Sequence, residues 1–227
     1  MKKAFVIVAT LTLAASYPLQ AVAKTFSFNL NGAGVSGAVA FTYGAATDAT
    51  YPQAFEITGI SGTFSDSNNG LNIVNAPIGS LVAINHAAPE ATNLLAPNDF
   101  SKFSVAAGLP PENHGSLSYD NLFYPGGSPQ TASDYPVSGG FLDIYGLMFN
   151  IGGGKVVNFW SNGDFSGTGA TPADYGVAVA TQDLTLDYVG GGVVAAVPEP
   201  STYALMMAGL GALGCIARRR KPSGQTS

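Results

Sequence analysis

Thr25-Phe26-Ser27-Phe28-Asn29-Leu30 alternates polar and apolar residues without a break, and Val35-Ser36-Gly37-Ala38-Val39-Ala40-Phe41-Thr42-Tyr43 resumes the same period. Successive side chains of a strand point to opposite faces, so a period of two predicts strands with one buried face. Phe26, Phe28 and Leu30 share a face in the first run, and Val35, Val39, Phe41 and Tyr43 in the second. Phe55–Phe64 begins with Phe55 and Ile57, then changes phase at Gly59 to Ile60 and Phe64. A glycine at a phase change predicts a β-bulge.

Farther along, Phe141–Ile151 is apolar on both faces and reads as a central strand. Val156–Trp160, Tyr175–Val179 and Leu184–Val189 continue the set, with shorter candidates at Ile73–Val74, Leu81–Ile84, Phe100–Val105 and Leu117–Tyr119. Gly152-Gly153-Gly154 predicts a hairpin, Asn162-Gly163 has the composition of a type I′ turn, and Thr181-Gln182-Asp183 joins the last two strands. No amphipathic helix or fixed repeat interrupts the pattern. The expected fold is all-β, an antiparallel β-sandwich or jelly-roll-like body. Asn85–Gly140 carries seven prolines and breaks the pattern; a structureless insertion of that length is uncommon in a compact domain.

Composition narrows the function classes. The chain has 227 residues, one Cys and two His, which excludes a disulfide framework and makes a multi-histidine metal centre improbable. Six of the nine basic residues sit at the two ends. Lys24–Val197 therefore keeps three basic residues against thirteen acidic ones, a net charge of −10 where the whole chain has −5. A body this acidic repels phosphate backbones, so no nucleic-acid partner is expected.

The ends read as addresses. Lys2 and Lys3, an apolar run from Ala4 to Ala15, and Ala21-Val22-Ala23 make the three parts of a secretory signal peptide, with signal peptidase expected to cut between Ala23 and Lys24. At the other end Val197-Pro198-Glu199-Pro200-Ser201 precedes an apolar stretch, Tyr203–Ala217, and then Arg218-Arg219-Arg220-Lys221. Fifteen residues at ~1.5 Å rise give a helix of about 22 Å, a marginal span. The basic cluster should stay cytoplasmic, which puts the body across the membrane, where the signal peptide also sends it. The two prolines fix φ, lack N–H donors and push their predecessors to extended backbone. The neck is thus a stiff extended peptide, preceded by Gly190-Gly191-Gly192 as an expected flexible tether.

Pro-Glu-Pro, a short apolar helix and a terminal Arg cluster resemble the PEP-CTERM sorting signal of Gram-negative bacteria. The resemblance implies processing near the motif by an exosortase, a membrane-embedded transpeptidase-like cysteine protease. It also implies a transient stay in the inner membrane with a periplasmic body, then delivery to the cell surface or extracellular matrix among exopolysaccharide and biofilm. Ser118–Gly127 and Gly139-Gly140-Phe141 are similar to bodies of other PEP-CTERM proteins, which implies no chemistry. The expected organisation is 1–23 signal peptide, 24–189 β body, 190–197 Gly-rich linker, 198–221 sorting signal and 222–227 tail.

Candidate chemistry inside these bounds is sparse. Gly209–Gly214 matches G-x-G-x-x-G but lacks the preceding strand and distal acid of a dinucleotide loop, and small residues there suit helix contacts instead. Cys215 reads as a small apolar helix residue. His86 and His114, with Ser116 and Asp120 near the latter, form no recognisable triad, and no G-x-S-x-G elbow occurs. Asp66-Ser67-Asn68-Asn69-Gly70 is a fragment of a calcium loop that reads first as a hairpin turn, and Asn162, Asp164 and Asp174 form a second weak calcium candidate. Trp160, Tyr124, Tyr135 and Tyr145 are candidate sugar-stacking aromatics, with core packing the expectation for Trp160. The carboxylates are expected on the surface. No catalytic residue, cofactor or metal site is assigned. The expected role is a secreted, non-catalytic, exosortase-sorted surface or matrix protein. The alternatives are a carbohydrate- or calcium-binding matrix module and, behind it, a secreted hydrolase.

Overall fold

The computed structural model describes residues 23–84, 117–132, 135–164, 173–181 and 185–197, together with the backbone of 104–105. Its strands are β1 (Lys24–Gly32), β2 (Val35–Thr47), β3 (Phe55–Asp66), β4 (Ile73–Pro77), β5 (Ser104–Val105), β6 (Ser118–Tyr119), β7 (Leu122–Phe123), β8 (Leu147–Gly152), β9 (Lys155–Gly163), β10 (Asp174–Ala180) and β11 (Thr185–Ala196). Among the described residues there is no α-helix, and a single 3-10 turn, Asn68–Gly70, joins β3 to β4.

The main sheet is antiparallel in the order β4-β3-β2-β1-β11-β10-β9-β8. Chain order is kept within each half, so two four-stranded meanders meet where β1 pairs β11. Past β4 the chain crosses to the far edge. Gly79 N–H donates to Asn150 O at 2.8 Å, Asn150 N–H to Ser80 O at 2.8 Å and Val82 N–H to Met148 O at 2.8 Å. Leu81 forms a bridge with Phe149 where the sequence predicted a strand over Leu81–Ile84. These bonds nearly close the sheet on itself. The all-β, antiparallel expectation holds. The sandwich or jelly roll is replaced by a single nearly closed sheet, because residues 78–82 satisfy the free edge of β8 instead of leaving two separate sheets.

The closed sheet has a core inside and a second outside. Phe28, Leu30, Val35, Val39, Phe41 and Phe64 from β1–β3 are buried inside it, against Phe149, Phe159 and Val177 from β8–β10. The intervening residues of β8–β10, among them Met148, Trp160, Ala178 and Ala180, pack outside beneath Leu117, Tyr119, Ile144 and Tyr145. That overlay buries both faces of β8–β10, whereas β1 and β2 alternate. Phe141–Ile151 is not one strand. Asp143 Oδ1 accepts the N–H groups of Tyr145 and Gly146 at 3.0 Å each, and Gly146 has φ 68°, so β8 starts only at Leu147.

Turn chemistry holds in part. Thr42 faces Gly59 while Tyr43 faces Ile57, so one residue is extra beside Gly59 and the bulge lies where the phase change put it. Gly152 pairs with Lys155 across Gly153-Gly154, both at positive φ, as a type I′ hairpin requires. Asn162-Gly163 is not a turn. Gly163 pairs with Asp174 at the end of the ladder, and its positive φ of 76° fits it against Ser138, whose backbone would lie 2.5 Å from any Cβ.

Candidate functional site

The last strand positions the C-terminal signal. β11 faces β1 only through Asn29↔Ala196, Leu30↔Ala195 and Asn31↔Val194. From Lys24 to Phe28, β1 therefore bonds to β2 alone. A cleft of about 370 Å³ opens at this parting of the two halves, lined among others by Phe26, Phe123, Phe141, Tyr175 and Val197. Phe141 N–H donates to the Tyr175 hydroxyl at 3.3 Å, and burial pushes that hydroxyl above its ordinary range. Among the described residues the cleft lining is largely aromatic and includes no carboxylate.

Gly190–Gly192, expected as a tether, is part of β11. Between Tyr175↔Val193 and Val177↔Val189 the register slips, so the glycines form a bulge. Gly192 N–H donates to Asp174 Oδ1 at 2.7 Å, and Asn162 Nδ2 donates to Gly190 O at 2.8 Å and to Asp174 Oδ2 at 3.1 Å. A Cβ on Gly191 would sit 2.5 Å from Asp174 Oδ2. Small residues are needed here for close approach rather than for flexibility, and the boundary expected at Val189 moves to Ala196. The same bonds absorb the second calcium candidate. Asn162 and Asp174 meet, but they clamp the glycine bulge, while Asp164 N–H binds Ser138 O at 2.8 Å.

The aromatic candidates separate. Tyr124 and Tyr145 are fully buried and Trp160 nearly so. Trp160 lies flat on Gly176, donates Nε1–H to Asn162 Oδ1 at 3.0 Å, and stacks on Tyr188 with centroids 5.5 Å apart. Tyr188 is 48% exposed and Tyr135 40%. Tyr135 is near enough to add to the burial that raises the Tyr188 hydroxyl. Tyr188 escaped the sequence reading because only cross-strand register brings it beside Trp160.

Two pairs of carboxylates contradict the expectation of surface acid. Asp120 and Asp143 are buried together beneath the outer segment. Asp120 Oδ1 accepts Leu122 N–H at 3.1 Å, and the Tyr124 hydroxyl donates to Asp143 Oδ2 at 3.4 Å. Burial raises both carboxyls, most strongly that of Asp120, which the charge of Asp143 raises further; backbone N–H donors hold Asp143 back. Between them Asn121, at φ 54°, donates to Val82 O at 3.0 Å and accepts Met148 N–H at 3.0 Å. The Ser118–Gly127 stretch is thus a buried polar hub tying the outer segment to the sheet. Both acids are packed among the described residues rather than presented at the surface.

The second pair joins Asp66, at the end of β3, to Asp187 on β11. Asn68 Nδ2 and Asn69 Nδ2 donate to the Asp187 carboxylate, the first at 3.2 Å. Asp66 Oδ1 accepts Asn68 N–H at 2.8 Å. Burial and the facing Asp187 push the Asp66 carboxyl up to about 6. The hairpin reading of 66–70 holds, and the partner strand supplies a second acid. Among the described residues no three His, Cys, Asp or Glu side chains cluster as metal ligands.

Ala23, Lys24 and Val197 are described, and β1 begins at Lys24. Ala21, His86, His114, Ser116, Pro198–Ser201, Cys215 and Arg218–Lys221 lie outside the described residues, as do the apolar stretches 4–15 and 203–217. No helix among the described residues is long and apolar enough to cross a membrane.

The geometry defines a β-protein whose last strand hands directly to a C-terminal segment. Residues 196–221 match the family model of the PEP-CTERM protein-sorting motif, beginning at the last residue of β11. That motif marks an exported protein with a membrane-anchored sorting signal and an exosortase as processing partner. No curated protein and no solved structure matches the chain.

Proposed function

We propose that the mature body is a non-catalytic component of the cell surface or extracellular matrix, released from an inner-membrane precursor by an exosortase and resident among exopolysaccharide in biofilm. The carrying observation is that the sorting motif begins at the final residue of the sheet. Cleavage there removes no core residue, so the body outlives its anchor. The non-catalytic reading is supported by the placement of the acids in packed pairs and of aromatic side chains in the cleft. Replacement of Pro198, Glu199 and Pro200 by alanine in the native host tests the sorting step. The variant should accumulate in the membrane fraction at precursor size, while wild type appears outside the cell at mature size. Unchanged release would defeat the proposal.

A second reading, carbohydrate binding by the body, is favoured by Tyr188 and Tyr135, exposed side by side with Trp160 stacked beneath. Aromatic faces suit sugar rings. A glycan array with the released protein decides it: binding lost in Tyr188→Ala supports this reading, and binding to no glycan removes it.

A further inference from the structure

We propose that Asp66 and Asp187 form a calcium site with the Asn68–Gly70 turn, at the end of the sheet opposite the sorting motif. The two acids come from strands far apart in sequence. Asp66 is 0% exposed and Asp187 5%. One Asp66 oxygen is used by Asn68 N–H, and the other, Oδ2, is buried and accepts no hydrogen bond. A buried carboxylate oxygen without a donor is costly, and a second carboxylate facing it adds repulsion. A divalent cation between them removes both penalties.

The donor chemistry selects the ion. Every side chain at the site carries an oxygen ligand, and none is the imidazole or thiolate that zinc and copper prefer. Calcium accepts six to eight oxygens in irregular geometry, whereas magnesium demands a near-ideal octahedron. Two carboxylates and the carbonyl oxygen of an asparagine amide fill part of such a shell. Asn69 now turns its nitrogen toward Asp187, and a half-turn of the amide presents oxygen instead. Water completes the shell from the turn, where Asn69 and Gly70 are exposed. The turn and Asp187 meet where β11 extends past the β1–β2 hairpin, so the ion would seal that end of the sheet.

The test uses the full-length chain in detergent, stripped with EDTA at pH 7.5, with calcium chloride and magnesium chloride as probes. Extracellular calcium sites have dissociation constants of about 10⁻⁴–10⁻³ M, so about 10 mM calcium should raise the melting temperature by roughly 3–10 °C. Magnesium should do less, and calorimetry should give one calcium per chain. Asp66→Asn should fold, melt no lower than the stripped wild type because the repulsion is gone, and lose the calcium increment. Asp187→Asn serves as the second variant and should lose it too. A wild-type melting temperature unmoved by calcium overturns the proposal, as does an increment that survives in both variants.

Discussion

Asp66 makes the protein's stability depend on pH in the direction opposite to an ordinary surface acid. Its carboxyl rises from 3.8 to about 6, chiefly through burial and then through Asp187. A folded-state value above the unfolded one means that the folded chain holds the proton more tightly. The contribution is complete below pH 3.8 and is lost as pH rises through about 6. Two units at ~1.36 kcal/mol each give close to 3 kcal/mol, and partial hydration through the exposed turn trims this to about 2–3 kcal/mol. Asp66→Asn keeps the acceptor for Asn68 N–H and removes the ionisation. With calcium and other cations held off by EDTA, wild type and variant should be equally stable near pH 4. Near pH 7 the variant should be more stable by that amount, or roughly 5–10 °C in melting temperature. Asp120 and Asp143 shift in the same direction but are present in both proteins, so they cancel in the difference. Denaturant titrations at half-unit intervals read it directly. Parallel pH profiles between 4 and 7 would refute the burial argument.

Phe41→Ala should cost about 3–5 kcal/mol, with the urea midpoint falling at constant slope; the Phe41 ring is fully buried, 5.2 Å from Phe26 and 5.0 Å from Phe123. Gly176→Ala places a methyl 2.2 Å from the indole of Trp160, the protein's single tryptophan, and should cost about 1–3 kcal/mol and red-shift its fluorescence. Asn121→Gly and Asn121→Ala both lose two buried side-chain bonds, but only alanine also meets the positive φ of 54°, so alanine should be the worse by about 1 kcal/mol; equal urea midpoints would show that the backbone there relaxes freely.

Local alternation carries most of the sheet. Phe28, Leu30, Val39 and Phe41 face the core as their spacing predicts, because a one-residue slip would turn every one of them to solvent. What was not legible depends on distance along the chain. Leu81–Ile84 reads as a short strand, but nothing in the sequence says that residues 78–82 pair with β8, an edge whose need for partners is invisible until the fold exists. The same holds for the sites. Asp66 reads as a turn residue until β11 brings Asp187 to it. Asp120 and Asp143 read as surface acid until the outer segment folds over β8–β10. Gly190–Gly192 shows the converse failure. A triglycine carries the composition of a linker, and only Asp174, waiting on the neighbouring strand, shows that its lack of side chains makes room for a clamp.

The register between β1 and β11 connects the fold to delivery. Because the two strands are antiparallel and Asn29 faces Ala196, the start of β1 and the end of β11 point to the same end of the sheet. Lys24 lies five residues beyond Asn29, about 17 Å at ~3.4 Å per residue. The next residues in sequence include Pro198 and Pro200, which have no N–H to give to an adjoining strand. On the proposed reading, a signal peptide before Lys24 and an anchor after Val197 would both tether the body at this one end of the sheet, and removing either would take away no residue of the core. The Asn68–Gly70 turn and the Asp66–Asp187 pair lie at the opposite end of the sheet, so loss of either tether would leave them undisturbed.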